Sequence, residues 1–147
     1  MQNQLKYPQA QLRMRKHQQV LQVFDEFRKK WLQLSPEEFV RQQLLHYLVH
    51  TCKYPASAIA IEKALQLNDT TKRFDIVVYN KQLQPFLVVE CKAPYITLEQ
   101  AVLEQALRYN LILKAPYVMI SNGVSDFVFD SKGLAVALPP ASELNTY

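Results

Sequence analysis

The stretch that decides the fold reads Arg73-Phe74-Asp75-Ile76-Val77-Val78-Tyr79 and resumes, after Asn80-Lys81-Gln82-Leu83-Gln84-Pro85, as Phe86-Leu87-Val88-Val89-Glu90-Cys91-Lys92. Both halves are dense in β-branched and aromatic residues and the link is made of turn formers, so the pair reads as two antiparallel strands. Folding it about the link sets Tyr79 opposite Phe86, Val77 opposite Val88 and Asp75 opposite Glu90. Alternate side chains of a strand share a face, so Asp75, Glu90 and Lys92 are expected to project from one side of the sheet. Opposed residues stand about 4.5–5.5 Å apart at Cβ, where like charges repel. Two carboxylates at the end of an apolar hairpin therefore call for a cation, a proton or solvent.

Two readings compete for that arrangement. In one, the hard carboxylate oxygens hold a divalent ion such as Mg²⁺, which keeps waters and a substrate phosphate in its remaining positions. Lys92 would then orient or deprotonate a water attacking the phosphate. In the other, Glu90 and Lys92 form a same-face ion pair and Asp75 is merely solvated. An isolated E-x-K is common enough for the second reading. An E-x-K that ends a strongly apolar strand, with an Asp on the strand before it, is a narrower pattern and favours the ion site.

The rest of the chain supplies a scaffold of suitable size. At 147 residues, 49% apolar and 20% charged, it has globular composition and room for one domain over 1–140. Within it, 1–34 reads as an N-terminal extension, 35–130 as the core and 141–147 as a loose tail. No apolar run reaches the roughly 18 residues of a membrane span, and Met1 to Pro8 lack the apolar segment of a signal peptide, so the expected compartment is the cytoplasm. Cys52 and Cys91 have no paired spacing and sit in apolar stretches, as buried free thiols do. The net charge of +4 comes largely from basic residues of the first half, a weak sign of phosphate binding.

Around the hairpin, Val20, Phe24, Phe27 and Trp31 fall at helical spacing while residues 11–15 alternate, so a hairpin leading into a short helix over 25–31 is expected. Ser35-Pro36-Glu37-Glu38 has the form of a capping box, opening a helix that runs toward Tyr54-Pro55; the cap and the helix dipole explain both glutamates most simply, with a metal-site role for Glu38 as the lesser alternative. Residues 58–62 read as a first strand, and 67–71 as its turn; Glu62 is left outside the site. Thr97-Leu98-Glu99-Gln100 resembles a second capping box, opening a helix to about Leu113 with Gln105 and Tyr109 on one face. Residues 117–120 read as a buried strand, Asn122-Gly123 as a tight turn, 127–129 as its partner and 134–138 as a last edge strand. His46 and His50, four apart, lack an acidic partner pattern and read as ordinary helix residues. With only Gly123 and Gly133, the chain has no glycine-rich phosphate loop.

The order of these elements, with Asp75, Glu90-Cys91-Lys92 and then Gln105-Ala106-Leu107-Arg108-Tyr109, resembles the PD-(D/E)xK nuclease superfamily. More narrowly it resembles the N-terminal nuclease domain of the type I restriction enzyme R subunit, in which a Q-x-x-x-Y motif follows the E-x-K strand. The phrases at Leu34-Ser35-Pro36-Glu37-Glu38, Arg73-Phe74-Asp75-Ile76, Val89-Glu90-Cys91-Lys92-Ala93-Pro94 and Ser121-Asn122-Gly123 carry the likeness across residues 34–129. It implies a restriction-endonuclease-like αβββαβ sandwich, an α/β fold with a mixed central sheet flanked by helices. It also implies Mg²⁺-dependent DNA cleavage, with Mn²⁺ as a substitute ion. Asp75 and Glu90 would bind the metal, Lys92 would assist the attacking water, and Gln105 and Tyr109 would support the site or position DNA. Arg41, Lys72 and Arg73 are the basic residues expected to contact nucleic acid with them. Phe74 stands where the superfamily's name has Pro, which leaves the carboxylate in place. The restriction subunit continues into an ATP-driven translocase; none follows here, so a separate motor or specificity protein is an expected partner. The alternative is a non-catalytic nucleic-acid-binding or assembly module that keeps the fold.

Overall fold

The computed structural model describes residues 5–145. A three-stranded antiparallel meander comes first, made of β1 (Met14–His17), β2 (Val20–Asp25) and β3 (Lys30–Gln33). Helix α1 (Pro36–His46) follows, then the long ribbon of β4 (Ile59–Leu67) and β5 (Thr70–Tyr79), then β6 (Pro85–Cys91). Helix α2 (Gln100–Leu113) crosses to β7 (Tyr117–Ser121), and β8 (Asp126–Asp130) closes the second sheet. That sheet has the order β4-β5-β6-β7-β8, antiparallel throughout except for the parallel pair β6 and β7. Parallel neighbours need a crossover, which is what α2 provides. The α/β sandwich with a mixed sheet is thus as expected from the order of elements.

Both sheet faces are covered, which is why the central strands are apolar at consecutive positions. Val40, Leu44 and Leu45 of α1 pack on one face against Ile76, Val78, Leu87, Val89, Cys91 and Met119. On the other, Ala106 of α2 packs against Val77, Val88, Val118 and Ile120. The hairpin register has Val77 opposite Val88, as the sequence suggests, and Ile76 opposite Val89. Tyr79, however, pairs with Pro85 and not with Phe86, because the register slips between Val78 and Tyr79. The link is drawn tight by the Asn80 side chain, whose Oδ1 accepts from the Gln82 and Gln84 amides at 3.0 Å each.

The ribbon of β4 and β5 turns over part-way along its length. In β4, Ile59 and Ile61 pack with the α1-side core, whereas Leu65 packs with the α2-side core. In β5, Ile76 and Val78 belong to the first and Phe74 to the second. Residues of one parity on a strand share a face unless the strand inverts, so the ribbon does so between these groups. The inversion sits at the rung Glu62–Asp75, absent from an otherwise continuous ladder, and Glu62 takes φ +52° there. Pairing resumes in the same register on either side.

Several expectations are corrected. Residues 25–31 form no helix: Asp25 accepts the amides of Phe27 and Arg28, Lys29 takes φ +57°, and Phe24 and Trp31 face each other as paired strand residues. The capping box of α1 is half formed. Ser35 Oγ accepts the Glu38 amide at 3.0 Å, but the Ser35 amide bonds Gln33 and the Glu38 carboxylate turns inward. Helix α1 gives way after His46 to a π-helical turn over Tyr47–Thr51. Helix α2 starts from Glu99 with no side-chain cap, so the second box is not made. Residues 134–138 add a single bridge, Phe129 to Ala135, and no strand. Nor is the tail loose up to residue 145: Leu144 is buried in the core and Tyr117 donates to Glu143 Oε2 at 2.7 Å. Residues 1–4 and 146–147, which end the expected leader-free terminus and tail, lie outside the described residues.

Candidate active site

Strand β6 delivers Glu90 near its end and Lys92 just beyond it. The Lys92 amide still donates to Ser121 O at 2.8 Å, so the pairing with β7 outlasts β6 and holds both side chains in register on the α2 face. Helix α2 then lays Gln105 and Tyr109 over them, linked by a 3.3 Å bond from Gln105 Nε2 to the Tyr109 hydroxyl. The result is a cleft of about 120 Å³ lined by Lys72, Glu90, Lys92, Gln105 and Tyr109, with Val102, Ala106 and Ile120 as its apolar wall. Four of the five residues of the two motifs' chemistry, Glu90, Lys92, Gln105 and Tyr109, therefore share one small space.

Lys72, expected as a nucleic-acid contact, is part of this cleft. Its ammonium lies 3.2 Å from Glu90 Oε1 and 5.2 and 5.3 Å from the ring centres of Phe74 and Tyr109. The ribbon inversion brings it here, because it turns the distal half of β5 toward α2. Arg73, next to it, is exposed. The Lys92 ammonium has no hydrogen-bond or ion-pair partner among the described residues and acts on Glu90 through its charge.

Asp75 lies at the inversion and does not line the cleft. Its Oδ2 accepts the Cys91 amide at 2.8 Å, and its Oδ1 is 2.9 Å from Arg41 Nη2. A side-chain oxygen has thus replaced the missing ladder acceptor, at the point where β5 leaves β6. The expectation that Asp75, Glu90 and Lys92 project from one face by simple alternation is corrected, since alternation fails where the ribbon turns over. Asp75 nevertheless stays within electrostatic reach of Glu90. Burial raises the proton affinity of Glu90, the Asp75 charge raises it further, and Lys72 and Lys92 oppose both. Burial likewise holds the Cys91 thiol well above its usual range, so it is an inert neighbour.

Arg41, expected to contact nucleic acid, is instead buried on the α1 side. Its guanidinium lies 3.1 Å from Glu38, 3.3 Å from Glu62 and 2.9 Å from Asp75. Arg28 joins Asp25 at 2.6 Å and Glu62 at 2.8 Å, and Gln42 bridges Asp25 and Glu38 at 3.1 and 3.0 Å. This network ties the meander, α1 and the ribbon to Asp75. Burial pushes Glu38 above the ordinary carboxylate range despite Gln42, Arg41 and Arg28. For Asp25 burial acts the same way, but hydrogen bonds from the Arg28 amide and guanidinium and from Gln42 outweigh it and hold it below. None of this is foreseen from the sequence, although Glu38, Arg41 and Gln42 share a helix face with Leu45, a polar run where a core stripe should be. Away from the site, His46 and His50 stack at 5.4 Å, and burial lowers His46.

A mixed sheet between two helices, with an acid-and-amine cleft at the end of its central strand, defines a restriction-endonuclease-like α/β sandwich. Within that class the chain belongs to the family described as type I restriction enzyme R protein N terminus (HSDR_N), whose model matches residues 36–139. No curated protein matches the chain. Among solved structures, it is similar to a DUF820 protein from Anabaena variabilis ATCC 29413, described as a "putative nuclease". The two share 13% identity over 85% of this chain and 89% of the other, with a TM-score of 0.44, a likeness too loose to carry an argument. Among the described residues no helix is long and apolar enough to cross a membrane.

Proposed function

We propose that this chain is a metal-dependent DNA endonuclease that hydrolyses a phosphodiester at the cleft beneath α2. The observation that carries the reading is the convergence of Glu90, Lys92, Gln105 and Tyr109 on one cleft, with the Asp75 charge close enough to act on Glu90. Family membership supports the nuclease class, and DNA as substrate rests on the same resemblance.

The donor set suits Mg²⁺. Among the described residues no group of three or more His, Cys, Asp or Glu side chains is arranged to hold a metal, as a closed structural site would require. Mg²⁺ is commonly held by only one or two carboxylates, with waters and substrate phosphates completing its shell. Asp75 and Glu90 would hold it. Each Asp75 oxygen accepts one bond in the network, and a carboxylate oxygen has two lone-pair sites, so neither is exhausted. When bound, the ion supplies charge neutralisation at the phosphate and an acidified water. Lys92, unpaired by hydrogen bonds, is the group free to orient that water and exchange its proton. Lys72 balances Glu90 in the absence of the ion and contributes positive charge toward a phosphate. Gln105 and Tyr109 offer an amide and a hydroxyl from the helix side to position the strand being cut.

The test is a metal-titrated cleavage assay on duplex, nicked and single-stranded DNA, run beside Lys92→Ala. Wild type should nick or cut with Mg²⁺ or Mn²⁺ and Lys92→Ala should not; equal activity in the two defeats the reading. Metal binding has its own readout, because a ligand that binds only the folded state at about 100 times its Kd stabilises by roughly 2.7 kcal/mol. Glu90→Ala should lose that thermal shift. A second reading, a non-catalytic nucleic-acid-binding module, is favoured by one observation: both carboxylates already have protein donors, Asp75 from Arg41 and the Cys91 amide and Glu90 from Lys72. It predicts metal-independent DNA binding and no cleavage.

A further inference from the structure

The meander lies outside the 36–139 segment that the family model matches, and one of its faces gathers arginines and aromatic rings. The inner face contributes Val23 and Asp25, both fully buried. On the outer face the guanidinium carbon of Arg15 lies 4.1 Å from the Trp31 ring centre, and that of Arg13 lies 4.9 Å from Phe24 and 5.5 Å from Trp31. The two rings meet edge to face at 5.3 Å, and Arg15 Nε donates to Gln22 Oε1 at 2.7 Å. Arg15, Gln22, Phe24, Trp31 and Gln33 share this face by register and alternation. The strand positions that face outward include no Asp or Glu, and Asp25 is turned inward onto Arg28.

A charged edge strand has an ordinary explanation, protection against pairing with another sheet, and Lys16 needs no other. That explanation does not require two arginines at alternate positions with their guanidinium carbons held over two aromatic rings. Stacked guanidiniums keep a planar N–H edge suited to phosphate oxygens, while rings and guanidinium planes accept an unpaired base. A face with cations, π surfaces and amides but no carboxylate is complementary to a polynucleotide and not to an apolar or cationic partner.

We propose that the outer face of β1–β3 is a binding platform for single-stranded nucleic acid, its phosphates on Arg13 and Arg15 and an unpaired base on the layer over Trp31 and Phe24. The choice of DNA as its source rests on the proposed function, whereas the platform itself does not. The meander is fastened to the site by Arg28, which bonds Asp25 and Glu62, so a strand held here is held on a body continuous with the ribbon.

Trp31 is the single tryptophan of the chain, which makes the test direct. The full chain is titrated in EDTA, so that no cleavage occurs, with single-stranded DNA, single-stranded RNA, duplex DNA and polyglutamate. Trp31 fluorescence and the anisotropy of a labelled strand are read across a salt series. Single strands should quench Trp31, and Arg13→Ser with Arg15→Ser should weaken binding about tenfold or more. The same pair should flatten the salt dependence by about 0.7 per lost phosphate contact for a single strand. Because both arginines are exposed, the variant should fold. Equal binding and slope in the double variant, quenching by polyglutamate, or binding of duplex alone would overturn the platform. Loss of cleavage with Mg²⁺ but intact binding in EDTA would defeat the proposed function and leave the platform standing; the reverse pattern would do the opposite. DNA and RNA binding alike supports the shared chemistry of an unpaired polynucleotide.

Discussion

The two faces of the central sheet carry the same ingredients wired in different ways. On the α1 side, Asp25, Glu38, Glu62 and Asp75 meet Arg28 and Arg41 in a network where the guanidiniums each serve several carboxylates. On the α2 side, Glu90 faces Lys72 and Lys92 in an open cleft, with one ammonium tied and the other not. Planar guanidiniums hold several acceptors in fixed directions, whereas a lysine is a movable point charge that readily exchanges a proton. On the proposed function, the α1 side serves as scaffold and the α2 side carries the chemistry. Asp75, at the seam, belongs to both.

The most severe way to break this contrast is Lys92→Ala, which should lower cleavage by about 10²–10⁴-fold, as loss of a proton-transfer group does, with circular dichroism and Tm unchanged. A Tm collapse would make Lys92 scaffold instead. Next comes Arg41→Ala. Removing one member of a buried ion network leaves uncompensated charge, at a cost of about 3–5 kcal/mol in urea unfolding. If it unfolds no more easily than wild type, the α1 side is not the rigid half.

Acid titration sharpens the contrast between carboxylates. Asp25 is held below its unfolded value, so it contributes stability above that value that is lost as pH falls through the folded pKa. Asp25→Asn should therefore flatten the acid limb of the stability curve. Glu90 is raised, so its contribution is present below the unfolded value and lost as pH climbs through the folded pKa. Metal-free Glu90→Gln should accordingly be more stable than metal-free wild type at neutral pH, and should no longer gain stability from Mg²⁺. The smallest effect belongs to Lys72→Ala, whose partly exposed pair with Glu90 should contribute no more than about 1 kcal/mol. A loss as large as that of Arg41→Ala would erase the distinction between the faces.

Much of the site is legible because E-x-K on an apolar strand and Q-x-x-x-Y on a helix are local patterns. Strand alternation and helical spacing carry such residues to one place without further information, and Glu90, Lys92, Gln105 and Tyr109 do share a cleft. Arg41 reads as a nucleic-acid contact when charge is counted along the chain, and counting does not see burial. The helix expected over 25–31 comes from apolar spacing that two paired strand residues, Phe24 and Trp31, reproduce by coincidence. Glu38 matches a capping box in sequence, but competing donors from Arg41 and Gln42 take its carboxylate.

By itself the sequence determined the order of elements from α1 to β8, the mixed sheet, the hairpin register near Val77 and Val88, and the acid-and-amine strand end. These arise from short-range periodicity, which a chain carries whatever its surroundings. Only the tertiary structure decided that the ribbon turns over at Glu62 and Asp75, that Arg41 faces inward, and that the meander shows a basic, aromatic face outward. Each depends on which distant charge or ring arrives at a given position, and that is set by packing between elements, not by spacing within them.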